Sequence, residues 1–236
     1  MQRRTPVFII CSSRPRVGKT LVARVLAEFF RAEGRPVAAF DVNPDEFALV
    51  DYLPGYTVVA GVGDTRDQMA LLDHLLLPDH VPKVIDLSHS QFDKFFTVIQ
   101  EIGFAEEARR RGVAPVVLFM AGADARSQQG YTLLRHRFPN MPLVPVINEA
   151  LPHIARSCDQ FPGTRLGGAP LTVPALSPVL KGVIERPSFS FAALAATAPD
   201  RTTELYGWTR RVFLEFRELE LRLLLAELGP TLRFSA

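Results

Sequence analysis

The stretch Val7-Phe8-Ile9-Ile10-Cys11 is an unbroken apolar run that leads through a short polar segment into Gly18-Lys19-Thr20. An uninterrupted run with β-branched members suits a strand covered on both faces, the condition of a parallel sheet. Beyond Thr20, the apolar residues Val22, Val25, Leu26, Phe29 and Phe30 fall on one helical face. Strand, loop, glycine and helix in this order bring backbone N–H groups and the positive end of a helix together, an arrangement that cradles phosphate. Lys19 adds a point charge there, and the Thr20 hydroxyl can hold Mg²⁺. Gly18 is the position where bare backbone must come close to the ligand. Ser13 stands where the general motif has glycine, so context carries the assignment more than the letters do. Ser13, Pro15, Arg16, Val17, Gly18, Lys19, Thr20 and Leu21 are the candidate residues for binding a phosphorylated cofactor.

The chain has 236 residues, enough for one α/β domain with a full core, and no stretch reads as a linker. We expect a single nucleotide-binding domain over residues 1–236, with a closing helix at about 202–228 packed on it. Acids nearly balance bases, and a net charge of +2 gives no strong reason to expect a nucleic-acid partner. Cys11 and Cys158 do not suggest a disulfide framework and point to a reducing compartment. The opening MQRRTP runs straight into the first strand, leaving no room for a signal peptide, and no apolar run reaches a transmembrane length. A cytoplasmic location is expected.

Taken in order, the first helix stops near Glu33-Gly34, and Pro36 to Asp41 forms a second strand ending in a carboxylate. Asp41-Val42-Asn43-Pro44-Asp45 follows as a polar turn, Leu49 to Tyr56 reads as irregular, and Thr57 to Ala60 as a short strand. Asp64 or Thr65 caps a helix carrying Met69, Leu72, Leu75 and Leu76. Lys83 to Ser88 is a short apolar strand ending at Asp86, the pattern in which a carboxylate reaches Mg²⁺ directly or through water. A helical region spans about Ser90 to Arg111, with Phe92, Phe95, Phe96, Ile99 and Ile102 inward and Gly103 as a possible break. Strands follow at Pro115 to Met120 and Leu143 to Ile147, separated by a helix at Arg126 to Phe138, and Asn148 stands at a strand end. Glu149 to Pro170 is a long polar loop, Leu171 to Pro174 an edge strand, and Pro178 to Ile184 a short helix. The closing helix carries Leu205, Trp208, Val212, Phe216, Leu219 and Leu223 on one stripe.

Alternating strands and helices predict an α/β fold with a doubly wound, mostly parallel sheet between helical layers, of the P-loop NTPase kind. Ligands bind such sheets at the carboxyl ends of the strands. The Ser13 to Thr20 loop, Asp41 to Asp45, Asp86 and Asn148 all follow strands, so they gather on one edge.

The series SRPRVGKT, DVNPD, VIDLS and VIN, in that order, resembles the ParA/MinD family of deviant Walker A ATPases, from about Val7 to Pro174. The resemblance implies ATP and Mg²⁺ as cofactors. It also implies a homodimer assembled on ATP, with DNA, a membrane or another protein as its target. Arg14 stands in the place of the lysine that the family uses across its dimer, with Pro15 and Arg16 in place of two glycines. By resemblance Lys19 is the phosphate lysine, and Thr20, Asp86 and Asp41 are the Mg²⁺ candidates. By the same resemblance Asn148 would be the residue that reads adenine. Lys19, Arg14, Asn43 and Asp41 are the catalytic candidates. Asn43 occupies the site of the aspartate associated with activating water, and an amide can orient water but cannot take its proton. The same asparagine also suits an Asx turn before Pro44. Three functions stay open: a nucleotide switch with slow hydrolysis, a degenerate non-hydrolysing module, and a small-molecule enzyme resembling dethiobiotin synthetase.

Overall fold

A computed structural model describes residues 4–43, 48–151, 161, 166, 169–197 and 200–232. The central strand is β1 (Thr5–Cys11), flanked by β4 (Lys83–Leu87) and β5 (Val113–Met120). Outside β4 lie β2 (Ala38–Val42) and then β3 (Thr57–Val59). Outside β5 lie β6 (Leu143–Asn148) and β7 (Leu171–Val173). The order is β3-β2-β4-β1-β5-β6-β7, and every pairing is parallel. The expected doubly wound α/β sheet is therefore present, and it is wholly parallel where a mostly parallel one was expected.

The alternation of side chains explains why both faces need cover. Phe8 and Ile10 of β1 join one core with Val116, Leu118 and Met120, while Val7, Ile9 and Cys11 join the other with Val117 and Phe119. Helix α1 (Lys19–Ala32) fills the first core, with α7 (Pro178–Ile184), α8 (Phe191–Thr197) and α9 (Glu204–Leu232) around it. Helices α3 (Thr65–Leu75), α4 (Phe92–Glu101), α5 (Phe104–Arg110) and α6 (Ala125–Arg137) cover the second face.

Several boundaries differ from the sequence expectation for local reasons. The helical region from Ser90 to Arg111 is two helices, broken at Gly103 as the sequence suggested, where the backbone turns left-handed at φ 64° and α5 starts. Ile102, expected inward, is about half exposed at that break. Leu49 to Tyr56, read as irregular, begins with the short helix α2 (Ala48–Tyr52), and the helix α8 has no counterpart in the sequence reading. Asp64 caps α3 by accepting the Asp67 N–H, as expected, but Met69 faces solvent and Leu71 and Leu75 are the buried residues. On α9, Leu205, Trp208, Val212, Phe216 and Leu219 are buried as the stripe predicts, with Leu223 partly so. Most of the long loop after Asn148, including Cys158, lies outside the described residues, as do Pro44 and Asp45.

A buried ion pair fastens α7 and α8 to α1. Arg24 is 2 % exposed and Glu28 0 %, with Arg24 Nε 3.2 Å from Glu28 Oε1. Arg24 also donates to the carbonyls of Ile184 and Phe189, and its guanidinium lies 4.2 Å from the Tyr52 ring centre. Glu28 Oε2 accepts from the Ser190 hydroxyl and from Ala192 N–H at the start of α8. Removing one partner strands the other charge in the core. We predict that Arg24→Ala costs about 3–5 kcal/mol in urea unfolding, whereas Arg24→Met with Glu28→Leu costs clearly less.

Candidate phosphate and cation site

The carboxyl ends of β1, β2, β4 and β6 place the candidate residues together. Gly18 caps α1 with φ 94°, and a Cβ there would sit 2.7 Å from Asn148 Nδ2. Glycine is thus required twice, by its backbone angle and by its neighbour. Lys19 opens the helix almost fully buried, and its ammonium donates to the Arg14 carbonyl at 3.2 Å, folding back across the loop. Burial lowers its pKa, against the stabilising charge of Asp86.

The strand register sets the two carboxylates side by side, since Asp41 and Asp86 are direct partners of β2 and β4. Thr20 Oγ1 donates to Asp86 Oδ2 at 2.6 Å, and Asn43 Nδ2 lies 3.2 Å from the same oxygen. Asn43 Nδ2 also donates to Asp41 Oδ1 at 2.5 Å. The other Asp41 oxygen accepts the Leu49 and Val50 N–H groups, pinning the start of α2. Thr20, Asp86, Asn43 and Asp41 therefore form one hydrogen-bonded chain from the loop to the second strand. Asp86 Oδ1, fully buried, has no hydrogen-bond partner. Desolvation pushes Asp86 up to about 6, with the Asp41 charge adding to it and Thr20, Lys19 and Asn43 opposing it. Desolvation raises Asp41 as well.

This donor set fits Mg²⁺. The threonine hydroxyl and Asp86, with its free buried oxygen, are hard oxygen ligands, and Mg²⁺ commonly takes few protein ligands and completes its shell with water and phosphate. No cluster of three acidic, histidine or cysteine side chains that could hold a metal occurs among the described residues.

Asn148 is engaged at both ends. Its Nδ2 donates to the Val17 carbonyl at 3.1 Å and its Oδ1 accepts Ala150 N–H, so the amide braces the loop from β6. Arg14 pairs within the chain, its Nε 3.2 Å from Asp124 Oδ2. Pro15 and Arg16 are exposed, and Val17 is buried in the first core. Leu21 packs partly buried against that core.

Sequence reasoning missed the second wall of the loop. Ser13 Oγ donates to the Arg126 carbonyl at 3.0 Å, Ser12 Oγ to the Met120 carbonyl at 3.0 Å, and Asp124 caps α6 through Ser127 N–H. A Cβ on Gly130 would lie 2.9 Å from Ser13 Oγ, so α6 and the loop are in close contact. The partners are more than a hundred residues apart in sequence for Ser12 and Ser13, and no local pattern announces such contacts.

No protein-family model matches the sequence, and no curated protein does. Solved structures resemble it in fold. One is from the MinC:MinD cell division protein complex of Aquifex aeolicus, 13% identical with a TM-score of 0.48, covering 91% of this chain and 96% of that chain. Another is a plasmid partition protein of Borrelia burgdorferi B31 bound to AMPPNP, 10% identical with a TM-score of 0.48, covering 92% and 99%. No described helix is long and apolar enough to cross a membrane.

The Asp86 environment gives a signed pH effect. Its pKa stands above the ordinary 3.8, so between about pH 4 and 6 the folded chain holds a proton that the unfolded chain has released. Without metal, this carboxyl favours folding at the low end of that window, and its contribution falls as pH rises through it. Asp86→Asn should remove that slope and leave the metal-free protein more stable at pH 7 by on the order of 1–3 kcal/mol. Denaturant titrations of both proteins across the window check this.

Proposed function

We propose that the chain is an ATP-binding nucleotide switch of the ParA/MinD-like kind, dimerising on ATP and hydrolysing it slowly. The supporting observation is the chain of contacts from Thr20 through Asp86 and Asn43 to Asp41, lying against a glycine-started helix with Lys19 in its first turn. In this reading the Ser13 to Thr20 loop and Leu21 surround the phosphates, and Lys19 exchanges the Arg14 carbonyl for a phosphate oxygen. Thr20 and Asp86, with Asp41 behind, hold the cation. When bound, Mg²⁺ would neutralise phosphate charge and screen the paired carboxylates. Asn148 keeps the loop in place and borders the base. A single domain working in the cytoplasm in partitioning, positioning or transfer suits this reading, with DNA or a protein as its target.

Arg14 is the residue proposed to reach a partner copy. Its bond to Asp124 is between half-exposed groups, so exchanging it for a phosphate costs little. A guanidinium grips a phosphate with two hydrogen bonds where an ammonium acts as a point charge.

Asn43 sets the chemistry. An aspartate there would be a third carboxylate beside Asp41 and Asp86, whereas the amide donates to both. The same donation leaves Asn43 with no negative charge to polarise a water, which favours slow turnover. It also supports the second reading, a module that binds nucleotide without hydrolysing it.

Calorimetry with ATP and Mg²⁺ is the direct test. Lys19→Ala should lower affinity by at least about a hundredfold with the fold intact by circular dichroism. Unchanged binding would remove the phosphate loop from the proposal. Light scattering should show dimers with saturating ATP and only monomers for Arg14→Ala. Phosphate release should be slow in the wild type and faster in Asn43→Asp with Mg²⁺. No release from either protein favours the non-hydrolysing module.

A further inference from the structure

The side chain of Asn148 holds one particular peptide unit of the loop. Its Nδ2 donates to the Val17 carbonyl at 3.1 Å, and its Oδ1 accepts Ala150 N–H at 3.1 Å. The amide is buried, so water does not compete readily for either bond. Val17 lies just before α1, whose first bonded carbonyl is that of Gly18, accepting Val22 N–H. No main-chain donor reaches the Val17 carbonyl among the described residues, and Asn148 supplies the missing one. A trans peptide is planar, with its C=O and N–H on opposite sides. Holding the Val17 carbonyl toward Asn148 therefore turns the Gly18 N–H away from it. That N–H has no acceptor among the described residues. The buried Val17 side chain and the close approach of Asn148 to Gly18 keep the unit from rotating.

We infer that Asn148 is a positioning residue: through the Val17 carbonyl it aims the Gly18 N–H at a phosphate oxygen, whether or not a base is present. The inference rests on the phosphate-loop reading above, and it replaces the adenine-reading role that the resemblance implies for this residue. A backbone donor fixed before the anion arrives costs no reorganisation on binding. With its amide committed at both ends, Asn148 serves a polyphosphate chain rather than a particular nucleoside.

Calorimetry of ATP and of inorganic tripolyphosphate, each with Mg²⁺, compares the wild type with Asn148→Leu and Asn148→Asp. Leucine keeps the volume and removes the donor, whereas the aspartate carboxylate sets an acceptor against the Val17 carbonyl. Each variant should weaken both ligands by a similar factor, at least about tenfold, with the fold checked by circular dichroism. A second readout follows the amide itself. Gly18 and Gly63 are the glycines that follow a valine, so ¹³C-carbonyl valine with ¹⁵N-glycine labelling isolates their signals, and Gly63→Ala tells them apart. Tripolyphosphate should move the Gly18 amide proton downfield in the wild type and much less in either variant. Should the variants fail to fold, the wild-type shift still decides. A loss confined to ATP makes Asn148 a base reader and overturns the inference. Unchanged affinities overturn it too, as does a Gly18 amide that stays still in the wild type or moves equally in all the proteins while tripolyphosphate binds. Those outcomes leave the loop reading intact. A wild type that binds neither ligand, matched by Lys19→Ala, overturns both.

Discussion

Burial of β1 on both faces is the constraint from which the rest follows. A strand with Phe8 and Ile10 on one side and Val7, Ile9 and Cys11 on the other needs apolar cover above and below. Parallel neighbours reached through helical crossovers supply that cover, and β4 and β5 flank the strand in that way. Every strand then points the same way, so every loop that leaves a carboxyl end opens onto one edge. The connections diverge beside β1: the one leaving β1 through α1 leads to β2 on the far side of β4, and the one leaving β4 through α4 and α5 leads to β5 on the other side of β1. Both walls of the Ser13 to Thr20 loop come from these neighbours: Asp86 from β4, and Asp124 to Ser127 from the start of the helix after β5.

Electrostatics at that edge are held in tension. Two carboxylates share a register pair in a desolvated corner, and burial raises both toward their neutral forms. Lys19 is pushed the opposite way by the same burial. Asn43 relieves the tension by donating one amide nitrogen to both acids, and Thr20 adds a further donor. What is left over is one buried oxygen, Asp86 Oδ1, with spare accepting capacity. A cation and a phosphate together would satisfy that oxygen and the lysine at once.

The opposite side of α1 is secured differently. Arg24 and Glu28 are ionised groups in a core that would otherwise reject them, and they are tolerated because their remaining hydrogen-bonding capacity meets backbone of the α7 and α8 region. Tyr52 of α2 packs on the same guanidinium, and α2 is pinned by Asp41. Helix α1 therefore touches the Asp41–Asp86 corner at its first turn and the C-terminal helices a turn later. Rigid attachment at both places keeps Gly18, Lys19 and Thr20 in position before any ligand arrives.

Local chemistry made much of this legible in the sequence. The apolar run Val7 to Cys11, the glycine before Lys19 and the period of α1 needed no tertiary information, because burial on two faces, a left-handed turn and an amphipathic stripe each leave a mark within a few residues. The stripe of α9 through Leu219 was readable for the same reason, and so was the gathering of Asp41, Asp86 and Asn148 at strand ends. Tertiary structure alone decided what those residues touch. That Asp41 is the register partner of Asp86, and that Asn43 bridges them, depends on β2 lying beside β4 across more than forty residues of chain. The burial of Arg24 with Glu28 was hidden because an i,i+4 ion pair reads as a solvated helix face until α7 and α8 close over it. The bracing of the loop by Ser13 and Arg126 was hidden likewise, since a hydroxyl and a main-chain carbonyl carry no sequence signature, and only the placement of α6 beside the loop that leaves β1 brings them within bonding distance.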